Sequence, residues 1–518
     1  MRINYNLTLD EILNATGGKL IIAGDGTGPL VFNEIFTDSR EDFGRNSVFI
    51  ALKGKNFNGE DFVKAVFNKG GYCALVSWDF LENNDISKYG DKIIIAVADA
   101  VSSLGDLAKL YLSKFNLKKK IALTGSCGKT TTKEMVYAIF TAVSGAEKIL
   151  KNDYNYNNLI GVPKTIFRLS GSVEYLILEI GTNKKGEIKR LSEIISPDIG
   201  AITNIGKSHL EEFKDTEGVF MEKSELARSL KGAGFLVLNA DDIVPPARYK
   251  DKIKEGVNIV SFGFRKLNDK KDKDAQNDQD ALNAQNPQNG GIPDVLCESA
   301  VSKEKTGKTI LNVLFKGEKY VIEVNFSGKH LIYDFLCAFS IASVSGIAPA
   351  VYINSDVFKN FNIPSGRMEI IKIADKTGEW TLINDAYNSN PDSLKSALDF
   401  IRKGYSENKK ILVLGDMLEL GGSAPEEHVN AGREISGLAD YVFYKGDYSD
   451  FITKGLEEKK FSGKFFLIKD DETFKNDFKK LDKNNAVVLL KGSRGMKLED
   501  YFKEYFKEKS DKSDKSIC

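Results

Sequence analysis

The chain has 518 residues, 42% of them hydrophobic, with 73 basic and 73 acidic side chains and a formal net charge of zero. At roughly 150 residues per domain this length points to about three domains, and the composition excludes global disorder and fibrous repeats. The balanced charge gives no overall case for nucleic acid or an anionic membrane as the main partner.

Residues 1–100 carry short strand-like runs broken by turns: KLIIAG, SVFIAL, YCALVSW and KIIIAV. Between two of them, DFVKAVFNKG places apolar residues at 62, 63, 66 and 67, a helical spacing that Gly70 and Gly71 end. A small N-terminal α/β domain is expected here. The opening residues lack the apolar core of a signal peptide, so a cytoplasmic protein is expected. Five scattered cysteines, at 73, 127, 297, 337 and 518, form no CxxC pair and fit a reducing compartment.

From 101 the pattern becomes strand, turn and helix. Ile121, Ala122 and Leu123 form an apolar strand, and Met135, Val136, Ile139, Phe140 and Val143 give a helical stripe. YLILEIG (175–181), IGAITNIG (199–206) and FLVLNADD (235–242) read as further buried strands of a parallel sheet covered on both faces. Residues 266–294, dense in Asn, Gln, Asp and Lys, read as a disordered insertion. Phe335 to Tyr352 carries no charge over 18 residues, which touches the membrane-span threshold. Its three serines, Gly and Pro argue instead for a packed helix over roughly 335–346, so no stable membrane insertion is expected. After 361 the α/β rhythm restarts with WTLINDAYN, KKILVLGDM, YVFYKG, KFFLIKD and AVVLLKGS. Asn390-Pro391 is an N-cap and first-turn pair for a helix with Leu394, Leu398 and Ile401 on one face. The expected division is 1–100, 101–360 and 361–518, with a flexible tail at 507–518.

TGSCGKTTTK (124–133) lies between a strand and a helix, where backbone N–H groups and the helix dipole bind phosphate. The common loop has its first Gly seven residues before the final Ser or Thr, and that position here is Leu123. This loop is a shorter form: Gly125, Ser126, Cys127, Gly128, Lys129, Thr130, followed by Thr131. Lys129 would reach the β- and γ-phosphates and Thr130 would hold Mg²⁺. Glu179 ends a buried strand, where ligands of open α/β sheets collect. That reads as a Mg²⁺ ligand, although position alone leaves a capping role open. His209 follows another strand end and Lys223 falls on a helix-like stretch. Neither is decided by spacing alone.

Taken in order, TGSCGKTTTK, EIGTNKKGEI, TNIGKSHLEEF, NADD, SGR and NDAYNSNPDS resemble the Mur ligases of peptidoglycan synthesis. TDSREDFGRNSVFIALKGKNFNGEDF, NYNNLIGVPKTIFRL, GDMLELGGSAPEEH and KGSRGMKLED resemble in particular the branch that adds a dipeptide. The resemblance implies three domains: a small α/β domain for the UDP-sugar, a central P-loop ATPase-like parallel sheet and a C-terminal Rossmann-like domain. It implies a cytoplasmic monomer that uses ATP and Mg²⁺ to join D-Ala-D-Ala to UDP-N-acetylmuramoyl-tripeptide, with no nucleic-acid partner. It assigns Ser39 and Arg40 to the UDP-sugar, Asn157 and Asn158 to the active cleft, and Thr130 with Glu179 to a first Mg²⁺. His209 would bind a second Mg²⁺. Lys223 matches the lysine that related ligases carbamylate into a metal-binding carboxylate. Arg367 and Asp385 would reach ATP from the C-terminal domain, and Asn388 and Asn390 lie where the dipeptide is expected. Two departures stand out. The family's His-Asn-x-x-Asn is His330-Leu331-Ile332-Tyr333-Asp334, which removes an amide expected near the adenine, and Asn58-Gly59-Glu60 replaces Asp-Gly-His.

Rival readings are a Mur-type ligase adding a diamino acid or glutamate, a P-loop kinase or motor, and a non-enzymatic nucleotide-binding scaffold. The absence of Asp-Asn-Pro-Arg and the presence of GDMLELG disfavour the first. The short loop and paired α/β domains disfavour the second, and intact Lys129, Thr130, Glu179 and His209 the third.

Overall fold

The computed structural model describes residues 1–23, 31–54, 56–265, 292–303 and 308–506. Three sheets organise them. The first runs Arg2–Thr8, Val31–Phe36, Ser47–Ile50, Cys73–Ser77, Ile93–Val97, Lys19–Ala23. Its four inner strands are parallel and both edge strands antiparallel, so the N-terminal α/β unit has a mixed sheet. All five side chains of Ile93–Val97 are buried, which explains why this run is continuously apolar.

The second sheet has nine strands, in the order Glu318–Val324, Lys308–Phe315, Val295–Lys303, Asn258–Phe264, Phe235–Asn239, Ile199–Ile202, Lys119–Thr124, Tyr175–Glu179, Ile149–Lys151. The run from Val295–Lys303 to Ile149–Lys151 is parallel. The other end is an antiparallel meander, which the expected parallel sheet did not include. In register, Leu123 pairs with Glu179 and Thr124 with Ile202, so three strands end level at one edge of the sheet. The 16-residue helix Lys129–Ser144 follows the first of them and buries Met135, Val136, Ile139 and Phe140.

The third sheet runs Glu369–Asp375, Gly378–Asn384, Ala486–Lys491, Lys409–Gly415, Tyr441–Lys445, Lys464–Leu467, parallel except for the first pair. Helix Pro391–Gly404 starts as expected: Asn390 accepts from Ser393 N–H while the Ser393 hydroxyl accepts from Asn390 N–H.

Two boundaries move. The helix expected over 335–346 runs Lys329–Val344, six residues earlier at its start. Its first turns carry Lys329, His330 and Asp334, whose polarity hid them, yet Asp334 is buried. The expected insertion, 266–294, lies outside the described residues through 291. Its last residues are ordered: Asp294 accepts hydrogen bonds from Ser261 N–H and Oγ at 2.7 and 2.8 Å. The 507–518 tail also lies outside the described residues. Among the described residues no helix is long and apolar enough to cross a membrane.

Candidate active site

The level strand ends of the central sheet face the third sheet across a cleft of about 780 Å³. It is lined by Ser126 to Thr131, Asn157, Asn158, Glu179, His209, Lys223, Arg367, Asp385, Asn388 and Asn390. Gly125 sits just behind. Ser39 and Arg40 are elsewhere, on the N-terminal unit. The Arg40 side chain is 87% exposed and folds back on Asp38, with Nε and Nη2 donating at 2.9 and 2.6 Å.

The phosphate loop is shaped by two left-handed glycines. Gly125 has φ 152°, and a Cβ there would lie 1.9 Å from Thr203 Oγ1; Gly128 has φ 81°, and a Cβ would lie 2.0 Å from Asp334 Oδ1. Asn204 fixes the loop from the next strand end, accepting from Cys127 N–H at 2.9 Å through Oδ1 and from Ser126 N–H at 3.0 Å through its carbonyl. Thr132 is the first residue of the helix to donate backward, to Gly128 O at 2.9 Å. The N–H groups of Lys129, Thr130 and Thr131 are thus the orphan donors of a helix N-terminus, aimed along its axis into the cleft. Lys129 Nζ rests on loop carbonyls, 2.7 Å from Gly125 O, and burial lowers its pKa.

Thr130 Oγ1 donates to Glu179 Oε2 at 2.6 Å, and Asn157 Nδ2 donates to Glu179 Oε1 at 2.8 Å. Asn158 Oδ1 accepts from Ile160 and Gly161 N–H, opening helix Gly161–Ile166. Lys223 is buried, and among the described residues its Nζ has no hydrogen-bond or ion-pair partner. Burial, then the nearby Lys129 charge, pulls its pKa down to about 7.

The opposite wall reaches across. Arg367 Nη2 donates to Thr130 Oγ1 at 2.8 Å, with the guanidinium 4.0 Å from the Tyr387 ring centre. Asp385 is paired with Lys491 at 2.7 Å. Asn388 Oδ1 accepts from Ser389 N–H at 2.9 Å. Asn390 caps its helix and donates through Nδ2 to Cys127 Sγ at 3.3 Å. His209 Nδ1 lies 2.8 Å from Glu419 Oε2.

Sequence reasoning missed several cleft residues. Asp242 closes the NADD run; it accepts from Ile205 N–H at 2.7 Å, and burial raises its pKa to about 7. Glu419 lies in GDMLELGG, a run whose sequence carries the family resemblance but no local signal of a site residue. Asp392 accepts from Lys207 N–H at 2.7 Å across the domains, and nothing local in sequence signals it. Of the departures, Leu331 is buried, and Asp334 lies against the phosphate loop with desolvation raising its pKa well above the usual range.

Known proteins resemble this chain over nearly its full length. Residues 123–342 match the Mur ligase middle domain and residues 366–494 the Mur ligase, glutamate ligase domain. The UDP-N-acetylmuramoyl-tripeptide–D-alanyl-D-alanine ligase of Bacillus subtilis is 32% identical over 92% of this chain and 93% of its own. The protein of the same name from Haemophilus influenzae is 31% identical over 95% and 96%. Among solved structures, MurF from Acinetobacter baumannii superposes with a TM-score of 0.79 at 25% identity, covering 98% of this chain and all of that one. MurF ligase from Thermotoga maritima, in complex with ADP, has the same fold, with a TM-score of 0.72 at 23% identity over 92% and 98%.

Proposed function

We propose the reaction from a premise that its relatives establish: the chain belongs to the Mur ligase family. It joins D-Ala-D-Ala to UDP-N-acetylmuramoyl-tripeptide with ATP. One observation supports this reading above the others. A phosphate loop on one domain and an arginine on another meet on a single hydroxyl, with Arg367 Nη2 on Thr130 Oγ1 at 2.8 Å. Chemistry confined to one domain would not need that bond.

Two anionic groups must meet, ATP and the tripeptide carboxylate, and their product, the acyl phosphate, is a third. The carboxylate oxygen attacks the γ-phosphorus, and the bond to the bridging oxygen breaks to release ADP. The dipeptide amine then attacks the acyl carbon. The C–N bond forms, the C–O bond to phosphate breaks, and inorganic phosphate and a proton leave. The helix donors at 129–131, Lys129 and Arg367 supply positive potential where this negative charge gathers, and such positioning and neutralisation are most of phosphoryl-transfer catalysis.

The oxygens of Thr130 and Glu179 form a hard donor pair 2.6 Å apart, which fits Mg²⁺ completed by nucleotide phosphates. Mg²⁺ is commonly held by one or two carboxylates together with waters and substrate phosphates, and this pair would supply the protein's share. Mg²⁺, when bound, neutralises phosphate oxygens. His209 and Lys223 are the proposed protein ligands of a second ion. With a pKa of about 7, much of Lys223 is the free amine at neutral pH, the form that adds CO₂ to become a carbamate.

The test is phosphate release by the purified chain with ATP, Mg²⁺, UDP-N-acetylmuramoyl-tripeptide and D-Ala-D-Ala, each omitted in turn. Release should need all four and give a UDP-muramoyl-pentapeptide. Release with the sugar nucleotide and a different amine would overturn the substrate assignment.

A further inference from the structure

His209 and Glu419 face each other across the domain boundary, and both hold backbone conformations that side chains rarely adopt. His209 has φ 52° and ψ 36° at the start of helix Leu210–Phe213, and Glu419 has φ 65°. Strained residues of this kind persist only where their surroundings over-determine them. Each is fixed from its own domain and then against the other. The 416–420 loop is pinned inside the C-terminal domain: His428 Nε2 accepts from Met417 N–H at 3.1 Å, and Ser493 Oγ accepts from Leu418 N–H at 2.8 Å. The loop docks on the turn that carries His209. Glu211 N–H donates to Glu419 O at 3.1 Å, and Gly421 packs so closely that a Cβ there would sit 2.8 Å from Glu211 Cα. The side chains then meet, His209 Nδ1 to Glu419 Oε2, at 2.8 Å.

A latch alone does not account for this. The Glu419 side chain is 52% exposed, and an ion pair that open to water contributes little. What the pair does fix is the imidazole. A carboxylate that accepts from Nδ1–H leaves Nε2 as the only ring nitrogen with a free lone pair, the second-sphere arrangement common to metal-binding histidines.

We propose that Glu419 is a positioning residue, which from the C-terminal domain locks the central domain's His209 as its Nδ1–H tautomer with Nε2 free for Mg²⁺, so that domain closure completes the second metal site. This rests on the reading of His209 as a metal ligand. An open enzyme would then hold a rotationally free imidazole and a weaker ion, which couples metal affinity to closure.

The test uses the full chain labelled with ¹⁵N-histidine, with Mg²⁺ and a non-hydrolysable ATP analogue. The chain has three histidines, so the His209→Ala variant identifies the His209 signals. The wild type should show a single Nδ1–H tautomer at His209. Glu419→Ala should show a tautomer mixture and raise the Mg²⁺ concentration for half-maximal turnover about tenfold, with excess Mg²⁺ restoring most of kcat. Glu419→Gln, which can still accept the hydrogen bond, should fall between. An unchanged His209 spectrum and Mg²⁺ midpoint in Glu419→Ala would overturn the proposal. If His209→Ala itself leaves the Mg²⁺ midpoint unmoved, the ligand reading fails. If His209→Ala moves it and Glu419→Ala does not, only the present inference fails.

Discussion

The two walls of the cleft treat charge in opposite ways. On the C-terminal side, Asp392, Glu419 and Arg367 reach across the cleft, and the acid that does not is compensated within the domain. Asp385 is paired with Lys491 at 2.7 Å, both of them lining the cleft. On the central side, Lys129 lies on carbonyls, Lys223 has no ion-pair partner among the described residues, and burial pushes Asp242 and Asp334 toward their neutral forms. Burying an unpaired charge is costly, and the cost is tolerated where a ligand later supplies the partner. The central wall thus has the unpaired charges that the proposed phosphates and cations would satisfy, whereas the opposite wall pairs Asp385 internally and delivers Arg367 and Glu419.

Removing the central wall's main cation should produce the largest effect. Lys129→Ala should lower turnover at least about 10³-fold. Its Nζ bonds only loop carbonyls, so the fold should survive, with an unchanged circular dichroism spectrum. Near-normal phosphate release from the folded variant would erase the contrast between the walls. Arg367→Ala removes the delivered charge instead. It should lower kcat by about 10²-fold, less than Lys129→Ala because the helix donors and Lys129 remain. A kcat within threefold of wild type would mean that the cross-domain bond to Thr130 is structural only.

The same contrast explains what the sequence could show. The glycine turn at 125–130, the strand end at Glu179 and the Asn390 cap were legible because each is a local pattern: a turn between strand and helix, a strand end, an N-cap before proline. The three-sheet architecture followed from apolar runs. The meander over 295–324 was missed although Lys308–Phe315 alternates buried and part-buried residues throughout, a period-two signal masked by its position after a polar insertion. The cross-domain partners were not legible at all. Lys207 and Asp392, or His209 and Glu419, are about two hundred residues apart, and their pairing exists only once both domains are folded and closed. Ser39 and Arg40 illustrate the reverse limit. The resemblance placed them on the UDP-sugar, and the cleft between the other two domains does not reach them. A UDP-sugar that spans from the N-terminal unit to the cleft would reconcile the two.

The smallest effect sharpens the comparison most directly, because it isolates the cost of an unpaired buried charge from catalysis. Asp242 sits at the central wall with Oδ2 held by Ile205 N–H at 2.7 Å, and burial outweighs that bond, raising the carboxyl from 3.8 to about 7. Between those two values the native state binds the proton and the unfolded chain does not, so this group's contribution to stability falls as pH rises through that window. Above about 7 both states are ionised and the full cost remains. Asp242→Asn removes the charge while its side-chain oxygen can still accept from Ile205. The variant should therefore match the wild type near pH 4 and exceed it at pH 8 by about 2 kcal/mol, a figure set below the full linkage value because the side chain is not wholly buried. Thermal unfolding of both chains at the two pH values measures this. A gain equal at both would assign the effect to packing, and a loss at both would mean that the carboxylate is compensated after all, placing the central wall in the same class as its neighbour.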